Sequence, residues 1–130
     1  MLGSMRKATI LISILAFSAF GLFAQDELAT FQTAMKAAAG ANGATRQAAD
    51  KAAFDAKAKE ASENFDKITA FFKAKGKDDA VKFSMAASDA FKAGVAAGSL
   101  DDAKAAVSKV GANCQGCHAV YRDGNKFKGL

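Results

Sequence analysis

Proline is absent from all 130 residues, and alanine and lysine dominate the sequence. Proline is the strongest breaker of a helix and alanine the best former, so over most of the chain nothing local opposes helix. Glycine then supplies the punctuation. Breaks fall at Gly40 to Gly43, around Gly76, and at Gly98 with Ser99, dividing the chain after its first two dozen residues into four segments of helical length.

Each segment carries an apolar face. Segment A, about residues 26–39, places Leu28, Phe31, Met35 and Ala38 at spacings of three and four; segment B, about 44–74, does the same with Phe54, Ala58, Ala61, Phe65, Ile68 and Phe72. Segment C, about 77–97, has Ala80, Phe83, Ala87, Phe91 and Gly94. Segment D follows Ser99, an expected N-cap with Asp101 and Asp102 in the first turn, and aligns Leu100, Ala103, Val107, Val110, Cys114, Cys117 and Tyr121. Four such segments on short connections can bury their stripes only against one another, which predicts an all-α fold, an antiparallel four-helix bundle. No run alternates as a strand would, and the tail after Gly124 is expected to fray.

The first 24 residues read differently. Arg6 and Lys7 precede an apolar run from Ala8 to Phe23, and small Ala24 stands before Gln25, Asp26 and Glu27, the pattern of a signal peptide cleaved after Ala24. Thr9, Ser13 and Ser18 interrupt the run, which is short for a membrane span. Leu22 occupies a position where a small residue is usual, so a retained N-terminal anchor is the alternative. The expectation is export to the periplasm, with no membrane association after cleavage and residues 25–130 as one domain. The formal charge is +5. Its lysines are spread along alanine-rich segments rather than gathered with aromatics, which excludes nucleic acid as the expected partner.

The chemistry concentrates at Cys114-Gln115-Gly116-Cys117-His118. Two thiols three apart with an imidazole directly after the second form the attachment pattern of haem c, where the thiols add to the vinyl groups and the imidazole binds iron. On a helix Cys117 lies about 60° to one side of Cys114 and His118 about 40° to the other, so all three share one face. The rival readings need other surroundings. A thioredoxin-like pair would follow a strand and open a helix; a zinc site would need a fourth ligand beyond two Cys and a single His; a disulfide between helical neighbours would be strained. With His118 the only histidine, a second axial ligand must be Met, Lys, water or nothing. Met35, on the stripe of segment A one turn beyond Phe31, is the first candidate, ordinary core filling being its other reading; Met85 lies off the main line of segment C.

The mature chain resembles the class II c-type cytochromes, the cytochrome c prime family with its low-spin relatives. The resemblance rests on four helices, an attachment pattern near the C-terminus, and an aromatic-Arg pair after the His, here Val110-Gly111-Ala112-Asn113-Cys114-Gln115-Gly116-Cys117-His118-Ala119-Val120-Tyr121-Arg122. It extends to Phe31-Gln32-Thr33-Ala34-Met35-Lys36, similar to a family motif whose Met points at the distal haem face. It implies that Met35 either binds iron, as in low-spin members, or packs over an open site. It also implies that Arg122 lies beside the haem and that Phe83 is the family's aromatic packed near it. The sequence departs from the family where Phe31 stands in place of an Arg near a propionate, and where the connection around Gly76 is cut short.

The function this implies is one-electron transfer, not enzyme catalysis, through covalent haem c with His118 and Met35 as axial ligands and redox proteins of the periplasm as partners. The rival is a five-coordinate protein of the cytochrome c prime kind that binds nitric oxide or carbon monoxide. Family members often pair through their first two helices, which implies a candidate homodimer through segments A and B.

Overall fold

A computed structural model describes residues 26–124 and 126–130. The expected signal peptide lies outside the described residues. Two compact units divide the chain, Met1–Gln32 and Thr33–Leu130. In the first, residues 26–32 are helical, Phe31 is buried and Leu28, expected on the apolar face, is 39% exposed.

The helix begun there, α1, continues through residue 47, straight across Gly40 and Gly43. The break expected at Gly40 to Gly43 is therefore not there. A glycine inside a helix costs only about 1 kcal/mol relative to alanine, whereas the extension carries Ala41 and Thr45 into buried positions. The Thr45 hydroxyl donates to the Asn42 carbonyl at 2.7 Å. The next helix starts where a real cap exists: the Asp50 carboxylate accepts the Ala53 N–H at 2.7 Å, opening α2, Lys51–Ala74.

Gly76, at φ 68°, takes the left-handed turn between α2 and α3, Asp78–Ala96. The paired residues run in opposite order along the two helices: Phe54 meets Gly94, Asp66 meets Ser88, and Thr69 meets Ser84. The pair is therefore an antiparallel hairpin. Its core is built from phenylalanine set against alanine. Phe65 and Phe91 stack at 5.9 Å between centroids, and Phe54 is fully buried against Gly94, where an added Cβ would lie 2.8 Å from the ring. Serines occupy interior positions that the apolar reading passed over. The Ser88 hydroxyl donates to the Asp66 carboxylate at 2.6 Å, and Thr69 donates to Ser84 at 2.8 Å, so neither buried hydroxyl is left unpaired.

Segment D, expected as one helix, is two: α4, Leu100–Ala106, and α5, Val110–Tyr121. Ser99 caps α4 as expected, accepting the Asp102 N–H at 3.1 Å. The break follows from Ser108, whose amide and hydroxyl both bond the Ala105 carbonyl, at 3.2 and 2.8 Å. Further bonds to the third residue back, Val110 N–H to Val107 at 3.2 Å and Ala112 N–H to Lys109 at 3.1 Å, tighten the chain locally. A turn of this pitch aligns residues three apart, and both Val107 and Val110 are buried. After α5 the chain does not fray: β1, Arg122–Asp123, pairs antiparallel with β2, Lys126–Phe127. The Lys128 N–H extends that pairing to the Tyr121 carbonyl at 2.9 Å. Among the described residues no helix is long and apolar enough to cross a membrane.

Because an added Cβ at Gly43 would meet nothing within 4 Å, Gly43→Ala should stabilise the protein by about 0.5–1 kcal/mol. Urea unfolding measures it. Unchanged or lowered stability would place a helix break at Gly43 after all.

Candidate functional site

Within the unit 33–130 a cavity of about 320 Å³ opens beside α5. Residues Met35, Ala38, Ala39 and Asn42 of α1 line it, with Phe65, Ile68 and Phe72 of α2 and Phe83 and Ser84 of α3. From α5 come Cys114, Cys117 and His118, with Gly111, Asn113 and Gln115 beside them. The helix period accounts for the α5 contribution, since residues three and four apart fall on one face. It accounts equally for α1, where Met35, Ala38 and Asn42 follow the same spacing.

Burial governs the ionisation of these groups. Cys117 is buried and Cys114 half-buried, and both thiols are free. Burial raises the Cys114 pKa above its ordinary value. It raises that of Cys117 further, to about 11, helped by the negative field of Asp79 and by Cys114 itself. Both thiols are thus protonated at neutral pH. Burial, and then the charge of Arg122, lowers the His118 pKa from its usual value, so the imidazole is neutral with a lone pair to donate. The set comprises two thiols, one neutral imidazole and one thioether, in a largely apolar enclosure. Among the described residues no three His, Cys, Asp or Glu side chains gather in a way that could hold a metal ion by themselves.

Five of the six residues singled out from sequence line this cavity: Cys114, Cys117, His118, Met35 and Phe83. Arg122 does not. It is exposed at the start of β1, and its Nε donates to the Gly124 carbonyl at 2.8 Å. The Tyr121 hydroxyl donates to the Asp79 carboxylate at 2.5 Å, and its ring lies against Phe72 at 5.5 Å. That contact ties the end of α5 to the start of α3 and the end of α2.

No family model matches the chain, and no curated protein or solved structure matches it either.

Two residues of the site escaped the sequence reading. Asn42 lines the cavity with its Oδ1 buried and without a hydrogen-bond partner. Arg46, one turn further along α1, brings its guanidinium to 3.5 Å from where a Cβ would stand on Gly111. Both follow the spacing that began at Met35, and that signal was present in the sequence. Treating Gly40 to Gly43 as a break cut it off.

The Tyr121 and Asp79 pair gives a pH signature. Hydrogen bonding to Asp79 raises the Tyr121 pKa to about 12, and the same bond, with the Ala80 N–H, lowers that of Asp79. The tyrosine contribution to stability is thus complete below its unfolded pKa, about 10, and is lost as pH rises through about 12. The aspartate contribution is present above its unfolded value and lost as pH falls through the lowered folded one. Tyr121 is the only tyrosine, so absorbance at the tyrosinate band reports it directly. Asp79→Asn should bring the midpoint down toward the ordinary tyrosine value, and an unmoved midpoint would mean the bond does not form in solution.

Proposed function

We propose that this protein is a c-type cytochrome that carries single electrons in the periplasm. On this reading residues 25–130 form an antiparallel four-helix bundle with one haem c bound to Cys114 and Cys117. The observation that carries the reading is the convergence on one apolar cavity of both thiols and the imidazole of the Cys114 to His118 motif, from α5, with the Met35 thioether from α1. The donor chemistry fits the group. Each thiol would add its sulfur to one carbon of a vinyl and its proton to the other, with no external oxidant, and the neutral His118 would be in the form that ligates iron. The chemistry the haem supplies when bound is reversible one-electron exchange at its iron.

The residues of the chain supply the rest. His118 and Met35 would be the residues that hold the iron. Phe65, Ile68, Phe72 and Phe83 give the cavity an apolar lining, and a low-dielectric surrounding of this kind is one of the means by which a protein sets a haem potential. The sequence contains no histidine beyond His118, so no second imidazole is available as an acid or base for turnover, in keeping with a carrier rather than an enzyme. Residues 1–24 would direct export, redox proteins of the same compartment would be its partners, and a homodimer through its first two helices is the assembly that the family resemblance suggests.

Visible spectra of the matured protein test this, taken oxidised and reduced, with and without carbon monoxide, beside Met35→Ala. The expected result is sharp low-spin bands indifferent to the gas, and a far-red sulfur-to-iron band that vanishes in the variant. Broad high-spin bands that shift with carbon monoxide would replace electron transfer by gas binding, with Met35 packed over an open position. Absence of covalent haem would overturn the reading.

A further inference from the structure

Gly116 stands between the two cysteines and is itself absent from the cavity wall. Its backbone is covered from the far side by Phe83. A Cβ built on Gly116 would lie 2.6 Å from Cε1 and 2.7 Å from Cζ of that ring, closer than carbon atoms tolerate. The ring of Phe83 therefore rests on the bare helix at the one motif position where no side chain intervenes. Around α5, Gly116 lies about 100° from Cys117 and about 160° from both Cys114 and His118. A contact there bears on the helix behind the thiols while the same ring also lines the cavity in front of them.

The other flank of α5 is met at Gly111, about 20° around the helix from His118, where the Arg46 guanidinium approaches to 3.5 Å of the corresponding Cβ position. Together these two contacts bear on the rotation of α5 about its own axis. That rotation decides whether two thiols or one face the cavity, because Cys114 and Cys117 are themselves about 60° apart. The ring is the tighter of the two contacts. Phe83 belongs to α3, which hydrogen bonds at Ser84 and Ser88 tie to α2, so the backbone that carries the ring is held by more than its contacts with α5.

We propose that Phe83, seated on Gly116, is a positioning residue that sets the rotation of α5 and so presents Cys114 and Cys117 together to the cofactor. The inference rests on the haem reading only for its consequence, two thioether bonds rather than one. Its geometric content concerns the haem-free chain. Ala at position 116 displaces the flexible end of the ring rather than any backbone, so the fold survives while the seat is lost.

The test uses the full haem-free chain and N-ethylmaleimide under native conditions, with mass spectrometry to assign each modified thiol and far-UV circular dichroism to verify folding. In Gly116→Ala and in Phe83→Ala, Cys117, otherwise buried, should react about tenfold faster as its local protection falls. Cys114 should change less, and the double variant should be no faster than either single, because both remove one contact. Gly116→Ala with Phe83→Leu should restore slow labelling, since the new methyl occupies space that the smaller side chain vacates. A merely structural role would lower unfolding stability in each variant without changing the ratio of Cys117 to Cys114 labelling. Unchanged ratios, or effects that add, would overturn the inference. In chains matured with haem, Gly116→Ala should yield single-thioether product and the Leu rescue two thioethers. Altered labelling in the variants, with a wild-type chain that takes up no haem, would leave the positioning role standing and remove the proposed function.

Discussion

The hairpin of α2 and α3 is the support on which the rest of the unit 33–130 is built, and it depends on pairing phenylalanine with residues that have almost no side chain. Phe54 penetrates because position 94 has no Cβ, and the carbonyl of Ala103 in α4 lies 3.3 Å from the same point. Buried aromatic rings of this kind contribute the largest apolar areas available to a chain without tryptophan. Alanines at 58, 61, 80 and 87 let the helices approach closely enough to grip those rings. The cavity wall combines the small Ala38 and Ala39 of α1 with Phe65, Ile68, Phe72 and Phe83 of the hairpin.

α5 is seated on this support at three levels. Val107 and Val110 bury its beginning through the tight turn at Ser108; Phe83 bears on its middle at Gly116; the hydrogen bond from Tyr121 to Asp79 secures its end. Val110 and Tyr121 lie on the same face as the thiols and the imidazole, at either end of them, and Phe83 meets the helix behind, so the burial of the two ends turns that face inward. The electrostatics agree with the geometry. Burial keeps both thiols protonated and the imidazole neutral, so the cavity wall carries no charge from its reactive groups at neutral pH. An uncharged wall is suited to a large apolar ligand and spares the interior an unpaired ion, whose burial would be costly.

Much of this was legible in the sequence because helix period and helix propensity are local properties. The turns at Gly76 and Gly98, the Ser99 cap and the stripe through Phe54, Phe65 and Phe72 follow from residue type and spacing; Cys114, Cys117 and His118 follow from their motif, Met35 from its stripe, and Phe83 was placed by family resemblance. What was not legible depends on competition between distant effects. Gly40 and Gly43 look like a break until one knows that Ala41 and Thr45 gain burial by continuing the helix. Ser84 and Ser88 look solvent-facing until their partners across the hairpin are known, Thr69 donating to Ser84 and Ser88 donating to Asp66. The split at residues 107–109 depends on a serine hydroxyl competing for a helix carbonyl, which spacing does not register. Arg122 was placed by family resemblance, and its local bond to Gly124 arises from the β turn that follows α5.

The cavity also bears on why such a small unit would take its ligand covalently. At roughly 24 cal/mol per Å³, filling about 320 Å³ of apolar interior is worth up to about 8 kcal/mol, which is comparable with the entire stability of an ordinary domain, about 5–15 kcal/mol. The opening to solvent reduces that figure, and the buried Asn42 Oδ1, at about 1–3 kcal/mol for an acceptor without a donor, adds a cost on the other side. A ligand that binds only the folded chain stabilises it by mass action, in proportion to the logarithm of its free concentration. Bound through Cys114 and Cys117, the same ligand would contribute whatever the surrounding concentration, because it could not dissociate. The motif on α5 and the apolar cavity it faces are therefore complementary. An occupant would add to the stability of the fold, and the thiols would make that occupant permanent.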